Sequence, residues 1–154
     1  GIISVMLAML IENIKIIAVD INEKALDLAK QNAIKHGVEN KIEFRLSNLY
    51  ENVQENDIFM TISNPPYIAN NYKLPTNVKY EPSNALLGGD IGDELLKDII
   101  EQTSEKKIPY LLCEMGYDQK TPLENYFKEF NIESYSFYKD YESFDRGFTL
   151  KFKI

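Results

Sequence analysis

Cysteine is nearly absent. Cys113 is the only one in 154 residues, so no disulfide can form within the chain, and the usage fits a reducing cytoplasm. Histidine is as scarce, with His36 alone. No Cys/His cluster has metal-ligand spacing, so no metal is expected. A G-x-x-x-x-G-K phosphate loop is missing. No apolar run reaches the about 18–20 residues of a membrane-spanning helix, so no membrane partner is expected. The nearest run, GIISVMLAMLI (1–11), lacks the basic start and cleavage site of a signal peptide.

Positive charge is in deficit: 17 Lys+Arg stand against 24 Asp+Glu, a net charge of −7. Affinity for nucleic acid comes largely from Lys and Arg displacing counterions, so direct nucleic-acid binding is disfavoured. The composition is otherwise that of one globular domain, 44% hydrophobic and 27% charged, which excludes a disordered tail, a collagen-like fibre and a disulfide scaffold. There is no internal repeat, no low-complexity segment and no mark of a second domain.

Periodicity supplies the elements. Residues 2–10 are apolar helix formers and predict a buried helix ending near Glu12 and Asn13. Residues 14–19 (IKIIAV) are short and β-branched, the pattern of a parallel strand covered on both faces. Asn22 can cap a helix running to about His36, with Ala25, Leu26, Ala29 and Ala33 on its buried stripe and Gly37 as its left-handed terminator. His36 suits that helix end as a cation facing the dipole. Strands are predicted at 41–46 (KIEFRL), 57–63 (DIFMTIS) and 108–115 (IPYLLCEM), where Cys113 reads as a small core residue. Helices are predicted over 93–104, with Leu95, Leu96, Ile99 and Ile100 on one side, and over 121–130, with Pro122 in the first turn. Residues 132–138 and 148–154 alternate as an antiparallel pair. Residues 64–90 form a loop holding four of the six prolines, longer than the about 12–15 residues beyond which loops are usually functional or disordered. The alternation predicts an α/β fold with helices on both faces of a mostly parallel sheet, ending in an antiparallel strand pair.

Ligands of open α/β sheets bind outside the carboxyl ends of the strands, and three polar signals lie there. Asp20 follows IKIIAV; such a carboxylate can hold both ribose hydroxyls or simply favour a helix N-terminus. Asn48 follows KIEFRL; it could offer a donor and an acceptor to a purine edge or form an Asx-turn. Asn64-Pro65-Pro66-Tyr67 follows DIFMTIS and is the specific signal. Two prolines fix φ near about −65° and bring no N–H groups. The loop is therefore stiff and its carbonyls lack local donors. Asn64 adds a side-chain acceptor and Tyr67 a flat wall. Such a site suits a planar NH2 group, an amide or an exocyclic amine. Holding both its protons would favour a pyramidal nitrogen with its lone pair exposed, a positioning and dipole effect that needs no strong base.

SNPPYI (63–68), then VKYEPSNALLGGDIG (78–92), CEMGYDQ (113–119) and KDYESFDRGF (139–148) together resemble the HemK/PrmC family over essentially all 154 residues. That family methylates a glutamine side chain of peptide chain release factors. The resemblance implies a Rossmann-like class I S-adenosylmethionine-dependent methyltransferase, with S-adenosylmethionine as cofactor and a release factor as partner in the cytoplasm. It implies that Asp20 holds the cofactor ribose. Asn48 stands near the adenine, where the family usually has Asp, so the charge of that contact is lost. Asn64 and the Pro65 carbonyl take the substrate amide beside Pro66, Asn64 also adjoining the cofactor. Tyr67 packs on the substrate glutamine. Glu81 matches a family position of structural or substrate-backbone role. Gly1 matches the last glycine of the family's D-x-G-x-G-x-G turn. The first strand, that turn and an upstream helical domain are not in the 154 residues, so a partial catalytic domain with a gap in its sheet is expected. Methylation of an adenine or guanine amino group in DNA or RNA, or an inactive truncated fragment, are the alternatives.

Overall fold

The structure, a computed structural model, describes residues 1–70 and 87–154. They divide into two compact units, Gly1–Glu55 and Asn56–Ile154.

In the first unit, helix α1 (Ile2–Leu10) precedes strand β1 (Ile16–Asp20), helix α2 (Glu23–Lys35) and strand β2 (Ile42–Leu46). β1 and β2 pair in parallel from Ile16 opposite Ile42 to Asp20 opposite Leu46. α2 is bounded by the residues the sequence nominates. The Asn22 side chain accepts from the Lys24 and Ala25 N–H groups, which satisfies donors left orphaned at a helix start. Gly37 leaves the helix at φ +67. Leu26, Ala29 and Ala33 are buried. Val5, Ala8, Ala33, Val38 and Ile42 form the core, with Ile16, Ala18 and Phe44 packed against it.

α1 is not buried throughout, contrary to expectation. Val5 and Ala8 are its buried residues, whereas Ile2 and Leu10 are about three-quarters exposed. A helix packed on one side buries one stripe, whatever its composition. Its far end is held by the Lys41 ammonium, which donates to the carbonyls of Ala8 (2.9 Å) and Ile11 (3.0 Å). A cation there satisfies carbonyls the helix leaves free and complements its dipole. β1 likewise differs from a strand covered on both faces. It starts two residues late, Val19 is exposed and its other residues are half-buried. The apolar pattern records affinity for a covered face, not the cover itself.

In the second unit, strands β3 (Met60–Ser63), β6 (Tyr110–Glu114), β7 (Ile132–Lys139) and β8 (Asp145–Phe152) form one sheet ordered β3-β6-β8-β7. β3 and β6 are parallel, and β8 runs antiparallel to both β6 and β7. The expected terminal pair is present, but β8 begins at Asp145 rather than 148. Within 64–90 the short strands β4 (Ile68–Ala69) and β5 (Leu87–Gly89) pair in parallel, which the proline content conceals. Helices α3 (Glu94–Glu105) and α4 (Lys120–Tyr126) complete the unit, α4 running into a 3-10 turn at Phe127–Glu129. Leu96, Ile99, Ile100 and Thr103 are the buried residues of α3, while Leu95 is half-buried.

Phe148 is fully buried and its ring contacts those of Phe127 and Phe137. Truncation there leaves a cavity that a close-packed core fills poorly. Phe148→Ala is expected to lower stability by about 3–5 kcal/mol, read as the midpoint shift in urea unfolding.

Candidate active site

Asp20 ends β1 and is half-buried. Its Oδ1 accepts the Asn22 N–H at 2.8 Å. One carboxylate oxygen therefore fixes the turn into α2 and orients the group, and no bond among the described residues engages the other. Asn48, exposed, donates from Nδ2 to Glu51 Oε1 at 3.0 Å. That bond occupies the donor side of the amide with the Glu51 carboxylate. The turn itself is closed by Ser47, whose hydroxyl donates to the Leu49 carbonyl and accepts the Asn52 N–H, both at 3.0 Å. Arg45 secures it by donating to Glu43 (2.7 Å), Glu55 and the Asn52 carbonyl. The guanidinium holds the Glu55 carboxyl down at a pKa of about 2.

Gly1 has a packing reason to be glycine. A Cβ there would collide with Ala29 of α2. This is the close approach for which dinucleotide-binding turns keep a final glycine.

Asn64-Pro65-Pro66-Tyr67 follows β3 directly, at its carboxyl end. Asn64 is exposed, Pro65 buried, and Pro66 and Tyr67 half-buried. Among the described residues no hydrogen bond ties the Asn64 head group. Tyr67 is fastened at both ends. Its hydroxyl donates to Glu114 Oε1 at 2.9 Å, and its carbonyl accepts from Gln119 Nε2 at 3.0 Å. Glu114 ends β6, next to the β3 terminus in the parallel ladder.

Around that carboxylate a polar group assembles. Gly147 of β8 pairs with Glu114 on one side and Tyr138 on the other, and the Tyr138 ring lies where any Cβ on Gly147 would stand. Arg146 is held by both Nε (3.0 Å) and Nη2 (2.9 Å) on Asp140 Oδ2. Asp140 in turn accepts the Glu142 and Phe144 N–H groups through Oδ1, and its carboxyl is held below the usual range by the guanidinium. Burial, then the bond to Glu114, raises the Tyr67 phenol, while Arg146 pulls it back.

Glu114, Gln119 and Arg146 were invisible as site residues in the sequence. They lie in CEMGYDQ and KDYESFDRGF, motifs that carry the family resemblance but announce no local chemistry. Glu81 lies outside the described residues, as do 71–86 as a whole. Asp20, Asn48 and Gly1 belong to the first unit; Asn64 to Tyr67 belong to the second.

A family model described as "Methyltransferase small domain" matches residues 1–80. The chain belongs to this methyltransferase family. Release factor glutamine methyltransferase of Aquifex aeolicus is 36% identical over 148 residues, 90% of this chain and 51% of that protein. The bifunctional methyltransferase of Rickettsia bellii is 32% identical over 151 residues, 95% of this chain and 27% of that protein. The chain thus spans about half or less of these curated relatives, which are of the kind the sequence motifs indicate. Among solved structures, the hMettl16 catalytic domain in complex with MAT2A 3′UTR hairpin 1 matches with a TM-score of 0.70 at 17% identity, covering 99% of this chain and 60% of that one. The N-terminal domain of human METTL16 in complex with SAH matches at 0.59 and 13%, covering 91% and 53%. The fold is that of class I S-adenosylmethionine-dependent methyltransferases. No helix among the described residues is long and apolar enough to cross a membrane.

Two outcomes follow for this methyltransferase chain. Tyr67 ionises later folded than unfolded, so its contribution to stability is complete below the ordinary phenol value of 10.0 and is lost as pH rises past it. Tyr67→Phe should cost about 0.5–1.5 kcal/mol at neutral pH and flatten part of the alkaline loss, read by urea unfolding at several pH values. Burial also raises the Cys113 thiol far above its usual range. Iodoacetamide should therefore label Cys113 only in denaturant, since the thiolate is the reactive form.

Proposed function

We propose that the protein transfers a methyl group from S-adenosylmethionine to the side-chain amide nitrogen of a glutamine in peptide chain release factors. The observation that carries this reading is the NPPY segment at the carboxyl end of β3, with Asn64 exposed and Tyr67 fastened to Glu114 and Gln119. The similarity to the Aquifex aeolicus relative, named release factor glutamine methyltransferase, supports it.

An amide nitrogen is a poor nucleophile because its lone pair is shared with the carbonyl. The Asn64 Oδ1 and the Pro65 carbonyl would each accept one of its protons and hold the nitrogen pyramidal. The Pro65 carbonyl lies between two pyrrolidine rings that fix its backbone, so little reorganisation of that acceptor would accompany the reaction. Tyr67 would lie along the glutamine side chain and limit its rotation. The free oxygen of Asp20 would take the ribose hydroxyls, and Asn48 would stand by the adenine. S-adenosylmethionine, when bound, supplies a methyl carbon made electrophilic by sulfonium charge. The Asn64 and Pro65 acceptors would present the amide lone pair to that carbon, and water would take the proton that the nitrogen gives up.

The test is labelled methyl transfer by the full-length protein to purified release factor and, separately, to DNA and RNA. Label is expected in the release factor; label in nucleic acid instead would reassign the acceptor to a purine amino group. Asn64→Ala should cut transfer by about 100-fold or more, the scale of a lost preorganised contact, while cofactor affinity by calorimetry stays within a few fold. Unchanged turnover would remove Asn64 from the chemistry.

A further inference from the structure

Gln119 is the residue in this unit whose contacts exceed its apparent role. It sits at the start of α4, where its carbonyl accepts the Leu123 N–H and its own N–H reaches the Gly116 carbonyl. Its side chain is almost fully buried, and the carboxamide is used on both sides. Oε1 accepts the Gly116 N–H at 2.8 Å. Nε2 gives its two protons to the carbonyls of Tyr67 (3.0 Å) and Gly92 (2.9 Å). One amide therefore joins three chain segments that are remote in sequence.

We infer that Gln119 is a positioning residue for the NPPY loop, fixing the backbone on which the amide acceptors are mounted. The inference rests on the function proposed above. The loop needs an external anchor because Pro65 and Pro66 contribute no N–H groups. The first residue after the prolines that fastens to its neighbours through both backbone and side chain is Tyr67. The hydroxyl is taken by Glu114, which orients the ring, and the carbonyl is taken by Gln119, which sets the Tyr67–Ile68 peptide, one residue beyond the second proline. The second proton of Gln119 fastens Gly92, just before the Asp93 cap of α3, so both the exit from NPPY and the entry to α3 hang on the same group. Gly116 leaves room for it: a Cβ there would stand 3.2 Å from the Gln119 Cδ and Oε1.

Two variants separate positioning from support of the α4 turn. Gln119→Glu keeps an acceptor for the Gly116 N–H but has no paired donors for the two carbonyls. Gln119→Met has neither. Amide hydrogen exchange by NMR is read at Tyr67 and Ile68, with Leu111 and Leu112 of β6 as internal controls. Steady-state kinetics of the full-length protein on release factor is read alongside. Both variants should raise exchange at Tyr67 and Ile68 by about tenfold, the loss of one buried hydrogen bond, with β6 unchanged. Both should lower kcat by a similar factor with KM for S-adenosylmethionine unaltered. Wild-type exchange and kcat in Gln119→Glu would overturn the inference, leaving only the Gly116 turn. So would loss of the folded state in both variants, which would make the residue purely structural. Failure of the unsubstituted protein to methylate any glutamine would sink the proposed function instead, and the exchange data would still judge the clamp.

Discussion

Two adjacent prolines at the end of a strand set the terms for the second unit. They stiffen the loop, yet they take from it the N–H groups by which a loop usually fastens itself to its neighbours. Tyr67 answers that deficit with a carbonyl on Gln119 and a hydroxyl on Glu114. Its partners come from the end of β6 and the turn beyond it, so the loop is only as well placed as that strand. The antiparallel pairing of β8 along β6, and the buried ring of Phe148 beneath it, therefore bear on the geometry at Asn64 although neither touches it.

The polar group around Glu114 follows from the same register. Gly147 stands between Glu114 and Tyr138 in the sheet, and its missing side chain lets the Tyr138 ring cross the strand. Asp140 organises the tight turn between β7 and β8 by accepting two backbone N–H groups, and it holds Arg146 in place. One carboxylate thus shapes the hairpin and orients a cation that reaches the electrostatic surroundings of Tyr67. Charge-assisted, two-point contacts of this kind fix geometry more firmly than a single neutral bond.

The first unit works by capping more than by burial. Its apolar surface is only partly covered, but three of its four helix termini are closed by identifiable residues: Asn22 at the start of α2, Gly37 at its end, and Lys41 at the end of α1. Asp20 is drawn into the same economy, spending one oxygen on the Asn22 N–H. A carboxylate tethered in this way has a fixed orientation at the end of β1.

Local chemistry was readable in the residues themselves. Period 3.6 and a polar cap identify α2; a β-branched run identifies β1 and an apolar run β6; a proline pair at a strand end identifies a stiff loop; and the order of motifs identifies the family. These depend on contacts between near neighbours or on one residue's own stereochemistry, which the sequence states directly. Strand limits, the β4–β5 pairing and the partial exposure of α1 and β1 depended on what lies alongside, which apolar periodicity does not encode. So did the two fastenings of Tyr67: Glu114 is 47 residues away and the Gln119 side chain 52. Hydrogen bonds over such separations exist only once the sheet has set its register, so the sequence by itself determined the chemistry of the loop and the tertiary structure decided what holds it.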